Sequence, residues 1–145
     1  MKALGFVFSF LIAVSIASAE PIVVIVRHAE KADNSENAEL SVAGRRRAET
    51  LARILKDANI RAIFTSERKR TQQTAAPTAT ATGVVPTIVP GKDFAALVSK
   101  LHEVKGNALV VGHGNTIPDI VKELERNPSI TFFENNPERS EAVTL

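Results

Sequence analysis

Apolar and polar positions fall in blocks along this chain, and the blocks switch between two periods. Ile22-Val23-Val24-Ile25-Val26 and Ala108-Leu109-Val110-Val111 are short uninterrupted apolar runs, as expected of strands buried on both faces. Polar chemistry follows each: Arg27-His28-Ala29-Glu30 after the first, Gly112-His113-Gly114-Asn115 after the second. Elsewhere the helical period takes over. Ser41 is placed to cap a helix with Ala48, Leu51, Ala52 and Leu55 on one face, ended by Asn59. Ala62-Ile63-Phe64 reads as a second strand. Ser66 is placed to cap the next helix, with Glu67 in its first turn and Pro77 kinking or ending it. Val84 to Val89 reads as a third strand, put at a sheet edge by Pro86. Phe94, Leu97, Val98 and Leu101 give a third helical face. Thr116-Ile117-Pro118-Asp119 has the form of a capping box opening a last helix that runs to Arg126. Ile130-Thr131-Phe132 and Ala142-Val143-Thr144-Leu145 are weak terminal strands. Strands alternating with helices predict an α/β fold in three layers, α/β/α, around a mostly parallel central sheet.

The first residues carry an address. Lys2 precedes an apolar stretch from Leu4 to Ile16, and Ala17-Ser18-Ala19 fits the small-x-small cleavage pattern. Residues 1–19 are therefore expected to be a signal peptide. Residues 20–145 then form one domain, secreted or periplasmic, with no stable membrane anchor after cleavage. The chain of 145 residues is long enough for a single core, and an apolar content of 44% is ordinary for a globular protein. Cysteine is absent, which removes disulfides, thiol nucleophiles and thiolate metal sites. The formal net charge is only +2, with no Trp or Tyr, a poor basis for nucleic-acid binding.

The candidate chemistry sits at the strand ends. In open α/β sheets, ligands bind just outside the carboxyl ends of the strands. His28, His113 and Arg27 would thus share one rim. Neutral imidazole can attack phosphorus in line, and arginine holds phosphate oxygens in a bidentate fork. Arg70, one turn into the second helix, could reach back over that rim. A metal site built from His28, Glu30, Asp33 and His113 is the competing arrangement, and two arginines aimed at the same point oppose it. No metal and no cofactor is expected. His102 receives no role, and Arg45-Arg46-Arg47 reads as a solvated helix face.

These residues resemble the histidine phosphatase superfamily, the phosphoglycerate mutase-like proteins. Arg27-His28-Ala29-Glu30 resembles the family's R-H-G-E signature. Leu40-Ser41-Val42-Ala43-Gly44 resembles its L-[ST]-x-x-G helix opening, and Ser66 to Ala75 its S-x-x-x-R-A-x-Q-T-A segment. Val111-Gly112-His113-Gly114-Asn115 resembles the segment bearing its second histidine. The resemblance implies a phosphoglycerate mutase-like fold and metal-independent phosphate transfer. His28 would become phosphohistidine, and Arg27, Arg70 and His113 would form the phosphate pocket. It also points to Asn34 as a phosphate contact and leaves Asn115 between capping a helix and touching substrate. Three departures stand out: Ala29 for glycine, Lys31 for a small hydroxyl residue, and no carboxylate directly after His113. Asp93 is the candidate general acid.

The expected protein is a phosphatase hydrolysing phosphomonoesters of a small molecule or phosphoprotein through His28. The alternatives are a phosphohistidine protein phosphatase and a non-catalytic phosphate or polyanion binder on the same fold. His28 must be neutral to attack, so activity should fall at low pH.

Overall fold

A computed structural model of the chain describes residues 21–126 and 131–135. The expected signal peptide and the expected strand Ala142–Leu145 lie outside the described residues. The elements run β1 (Ile22–Arg27), α1 (Val42–Leu55), β2 (Ile60–Thr65), α2 (Lys69–Thr82), β3 (Thr87–Ile88), α3 (Phe94–Glu103), β4 (Asn107–Gly112), α4 (Ile117–Glu125) and β5 (Thr131–Asn135). All five strands pair in parallel, in the order β3-β2-β4-β1-β5. Their carboxyl ends therefore share one rim.

The two apolar runs form the centre of this sheet, because only strands flanked on both sides can bury every side chain. Ile25 and Leu109 are fully buried. One face of the sheet packs Val23, Ile25, Phe64 and Val110 against Leu97, Leu101, Ile120 and Leu124 of α3 and α4. The other packs Val26, Ile63, Leu109 and Val111 against Leu55 of α1 and Ala75 of α2. The expected three-layer α/β/α architecture is the observed one.

Several local expectations change. The third strand shrinks from Val84–Val89 to Thr87–Ile88. Gly83 leaves α2 in the left-handed conformation, Pro86 offers no N–H to a ladder, and Val85 is 85% exposed. The edge position holds. Helix α1 is capped as expected, Ser41 Oγ accepting from Gly44 N–H, but it stops at Leu55; Asn59 instead takes a positive φ of 48° in the connection to β2. Helix α2 begins at Lys69 with Arg68 at its N-cap, so Ser66 does not cap it and Arg70 lies in its first turn. Pro77 does not end that helix, which continues to Thr82 with Thr74, Ala75 and Thr78 buried against its neighbours. Thr116 precedes α4 without a side-chain cap bond, and no capping box forms. Its hydroxyl turns to His113 instead. Asn115 is not the cap either. The first terminal strand lies at Thr131–Asn135, displaced toward the C-terminus from Ile130–Phe132.

Candidate active site

The sheet register brings the two histidines together. Arg27 pairs with Gly112 across β1 and β4, so the next residue on each strand is a histidine at the same height. His28 N–H donates to Gly112 O at 2.9 Å, which fastens the two strand ends. The imidazoles meet edge to face, centroids 5.3 Å apart at 64°. Neighbouring β2 ends on Thr65 and hands over to Ser66 and the first turn of α2, which carries Arg70. Arg27, His28, Lys31, Arg70, His113, Gly114 and Asn115 line one open cleft of about 260 Å³. Of the expected site residues, these include Arg27, His28, Arg70, His113 and Asn115. Asn34 lines a wider adjoining groove of about 850 Å³ that His28 and Arg27 also border.

His28 is set up as a nucleophile. Its Nδ1 lies 2.8 Å from Ala29 O, an atom that can only accept, so Nδ1 carries the proton and Nε2 keeps its lone pair. Burial lowers its pKa below the ordinary histidine value; the Ala29 carbonyl opposes this, and the charges of Arg70, Arg27 and Lys31 add to the lowering. The ring is therefore neutral at physiological pH. His113 is more perturbed: burial, then Arg70 and His28, lower its pKa to about 4.

The segment from Ser66 to Ala75 makes physical sense residue by residue. Ser66 Oγ sits 2.9 Å from His113 Nε2. Arg70 donates from Nη1 to Glu36 O at 2.8 Å, which ties it to the loop after β1. Gln73 Oε1 accepts from Leu40 N–H at 2.7 Å. Thr74 Oγ1 accepts from Ala29 N–H at 3.0 Å, holding the backbone beside His28. Ala75 is fully buried. The same loop also serves α2: Asn37 Oδ1 accepts from Lys69 N–H at 3.0 Å, doing what Arg68 at the N-cap cannot. Arg68 and Lys69 pair with Glu36 and Glu39. Sequence reasoning missed Ser66 and Thr74 as partners of the histidine segments. It also missed the Glu36–Asn37 contacts, because none of these is visible without the strand order that sets β1 and β2 on either side of β4.

Two nitrogens at this rim are buried without a hydrogen-bond partner: Arg70 Nε and His113 Nδ1. Buried polar groups are rarely left unpaired in the absence of a functional reason. Ala29 turns out to cost the site little. It needs no left-handed conformation, and its methyl packs with Leu40 and Ala48. Lys31 places a third cation in the cleft. Glu30 is turned to the surface, where it pairs with Arg47, and among the described residues no three His, Asp or Glu side chains converge. Asp93 does not line the cleft that holds His28. Its Oδ1 accepts from Ala96 N–H at 3.0 Å, capping α3, and it borders a separate cavity of about 30 Å³ that reaches His113 from the other side.

Known proteins share this fold. No curated protein matches the chain. Among solved structures, the mycobacterial glucosyl-3-phosphoglycerate phosphatase aligns with a TM-score of 0.59 at 18% identity, covering 72% of this chain and 79% of that one. The protein histidine phosphatase SixA, solved with tungstate, gives a TM-score of 0.61 at 21% identity, covering 70% and 75%. The phosphoserine phosphatase of Entamoeba histolytica, solved with 3-phosphoglyceric acid, gives 0.59 at 16%, covering 72% and 79%. At these identities the likeness is one of fold. Residues 23–93 match the family described as histidine phosphatase superfamily, branch 1, a span that includes His28, Ser66 and Arg70. With the sheet order, the paired histidines and this match in agreement, the chain belongs to the histidine phosphatase superfamily.

Proposed function

We propose that the protein is a metal-independent phosphatase that hydrolyses phosphomonoesters through a phosphohistidine on His28. The observation that carries this reading is a lone pair at His28 Nε2 facing a cationic cleft in which Arg70 Nε and His113 Nδ1 are buried and unpaired. A phosphoryl group supplies oxygens for such nitrogens and charge for Arg27, Arg70 and Lys31. In the first step Nε2 attacks phosphorus, the P–N bond forms and the bond to the leaving oxygen breaks. His28 Nδ1–H stays on Ala29 O throughout and stabilises the charge that develops on the ring. In the second step water attacks phosphorus, the P–N bond breaks, and phosphate leaves with His28 restored.

The leaving group matters. Among the described residues no carboxylate lines the cleft of about 260 Å³; Glu30 and Asp33 border the adjoining groove, held by Arg47 and Ser35 N–H, and Asp93 caps α3. Such a site favours leaving groups that depart without a strong acid, such as an aryl oxide or the imidazole of a phosphohistidine. This favours phosphohistidine on a protein as a second reading of the natural substrate. The apolar stretch Leu4–Ile16 followed by Ala17-Ser18-Ala19 supports export, with cleavage after Ala19. The N-terminal mass of protein recovered outside the cytoplasm tests that.

Hydrolysis of an aryl phosphate, with and without a chelator, tests the activity. Chelator-resistant turnover in the native chain, lost in His28→Ala, is the expected result. Phosphate binding that raises the melting temperature without any turnover would support a phosphate or polyanion binder instead.

A further inference from the structure

Behind His113 lies a chain of buried hydroxyls, and counting its protons fixes a property of the site. Thr71 Oγ1 is fully buried and sits 2.8 Å from Arg68 O, 3.1 Å from Ser66 O and 3.0 Å from Ser66 Oγ. Carbonyl oxygens only accept, so the single Thr71 proton goes to one of them. In the Ser66–Thr71 contact the proton must then come from Ser66. Ser66 Oγ already accepts from Arg68 N–H at 3.2 Å, and with its own proton committed to Thr71 it can only accept from His113 Nε2 at 2.9 Å. The proton of neutral His113 thus resides on Nε2. Its Nδ1 is bare, buried and unpaired. Thr116 Oγ1 fixes the same residue from the α4 side, accepting from His113 N–H at 3.0 Å.

We infer that the Ser66–Thr71 hydroxyl pair is a tautomer lock: it holds His113 with a bare Nδ1, so that phosphate binds with a proton shared between one of its oxygens and that nitrogen. This rests on the phosphatase reading of the cleft. A lone pair and a phosphate dianion oxygen repel one another, and one proton between them turns the contact into a charge-assisted hydrogen bond. Around His113 stand His28 from the end of β1, Glu67, Arg68 and Arg70 from the entry to α2, and Asp93 before α3; Asn115 and Thr116 before α4 add no charge. Burial, then the charges of Arg70, His28 and Arg68, discourage a proton on free His113. The arriving dianion offsets them, so the bound state holds one proton more than free protein plus dianion. Ser66 and Thr71 are positioning residues here, acting on phosphate through His113.

The test has two readouts on the full chain. Nitrogen NMR of labelled histidine should show His113 with a pyrrole-type Nε2 and a pyridine-type Nδ1. Ser66→Ala and Thr71→Val should both mix the tautomers, and Thr71→Ser should restore the native pattern. Affinity for methylphosphonate, whose dianion carries no proton of its own, should fall about tenfold per pH unit above its second ionisation, as one linked proton requires, and this slope should flatten in Ser66→Ala. A proton on Nδ1 in the native chain would overturn the inference, as would an unchanged tautomer in folded Thr71→Val. Failure of phosphate to bind at any pH would sink the phosphatase reading, while the ring shifts of the free protein would still decide the lock.

Discussion

Gly44 offers a quantitative test of how the first helix holds the His28 segment. It is the third residue of α1, and its N–H donates to Ser41 Oγ. A Cβ there would fall inside the van der Waals shell of the Glu30 carbonyl oxygen, with Glu30 N 3.1 Å and Glu30 C 3.2 Å away. The obstacle is backbone, two residues beyond His28, and cannot swing aside as a flexible side chain could. Gly44→Ala gains about 1 kcal/mol of helix propensity. Against that stands overpacking of about 1–3 kcal/mol. Ser41 N–H also donates to Glu30 O at 2.8 Å, and losing that bond costs about 1 kcal/mol more. The net expectation is a destabilisation of about 1–3 kcal/mol. Turnover should fall as well, because the shift travels along the backbone to His28. Denaturant unfolding at pH 7 measures the first effect and aryl phosphate hydrolysis the second. Gly83→Ala is the control: it has φ 71° with nothing within 4 Å of a Cβ, so it should show a left-handed strain of about 1 kcal/mol with activity kept. A Gly44→Ala protein as stable and active as the native one would refute this reasoning.

Other expectations follow from the same geometry. At Gly114 a Cβ would lie 3.1 Å from both Cζ and Nη1 of Arg27, so Gly114→Ala should weaken phosphate binding by about tenfold, with stability within about 0.5 kcal/mol of native; calorimetric titration beside a thermal melt separates the two. The lowered pKa of His113, about 4, predicts acid sensitivity. The unfolded chain takes up this proton from about pH 6.5 downward and the folded chain does not, so His113 should contribute a stability loss of about 3 kcal/mol between pH 7 and 4, and His113→Gln should reduce the fall seen in denaturant melts by that amount. Asp93→Ala should cost about 1 kcal/mol through the lost α3 cap and leave aryl phosphate turnover within about twofold, and a turnover loss of a hundredfold would return Asp93 to the role of general acid.

Much of the fold was legible because its signals are local. The two unbroken apolar runs had to be central strands, and Ser41 with its helical apolar face had to start α1. What the sequence hid was long-range. Ser66, Thr74 and Thr116 each have the chemistry of a helix cap or interior, and local reasoning gave two of them that role. In the fold Ser66 and Thr74 spend their hydroxyls on histidine segments from another part of the chain, and Thr116 turns back to His113 in its own segment. Pro77 does not end α2 because burial of the helix against its neighbours outweighs a missing N–H, and Val84–Val89 shrinks because an edge strand needs only the residues its neighbour can reach. That Arg27, His28, Arg70, His113 and Asn115 would share one cleft was legible because strand ends share a rim and α2 starts beside it. The position of Asp93 outside that cleft was not, since spacing alone does not show which way a helix cap faces.

The central claim is a covalent intermediate on His28. Alkaline quenching of the protein during aryl phosphate turnover, followed by peptide mass mapping, tests it most directly. The account predicts an acid-labile phosphoryl group on His28, absent from His28→Ala and unaffected by a chelator. Turnover without any phosphoenzyme, or with the phosphoryl group on another residue, would contradict it.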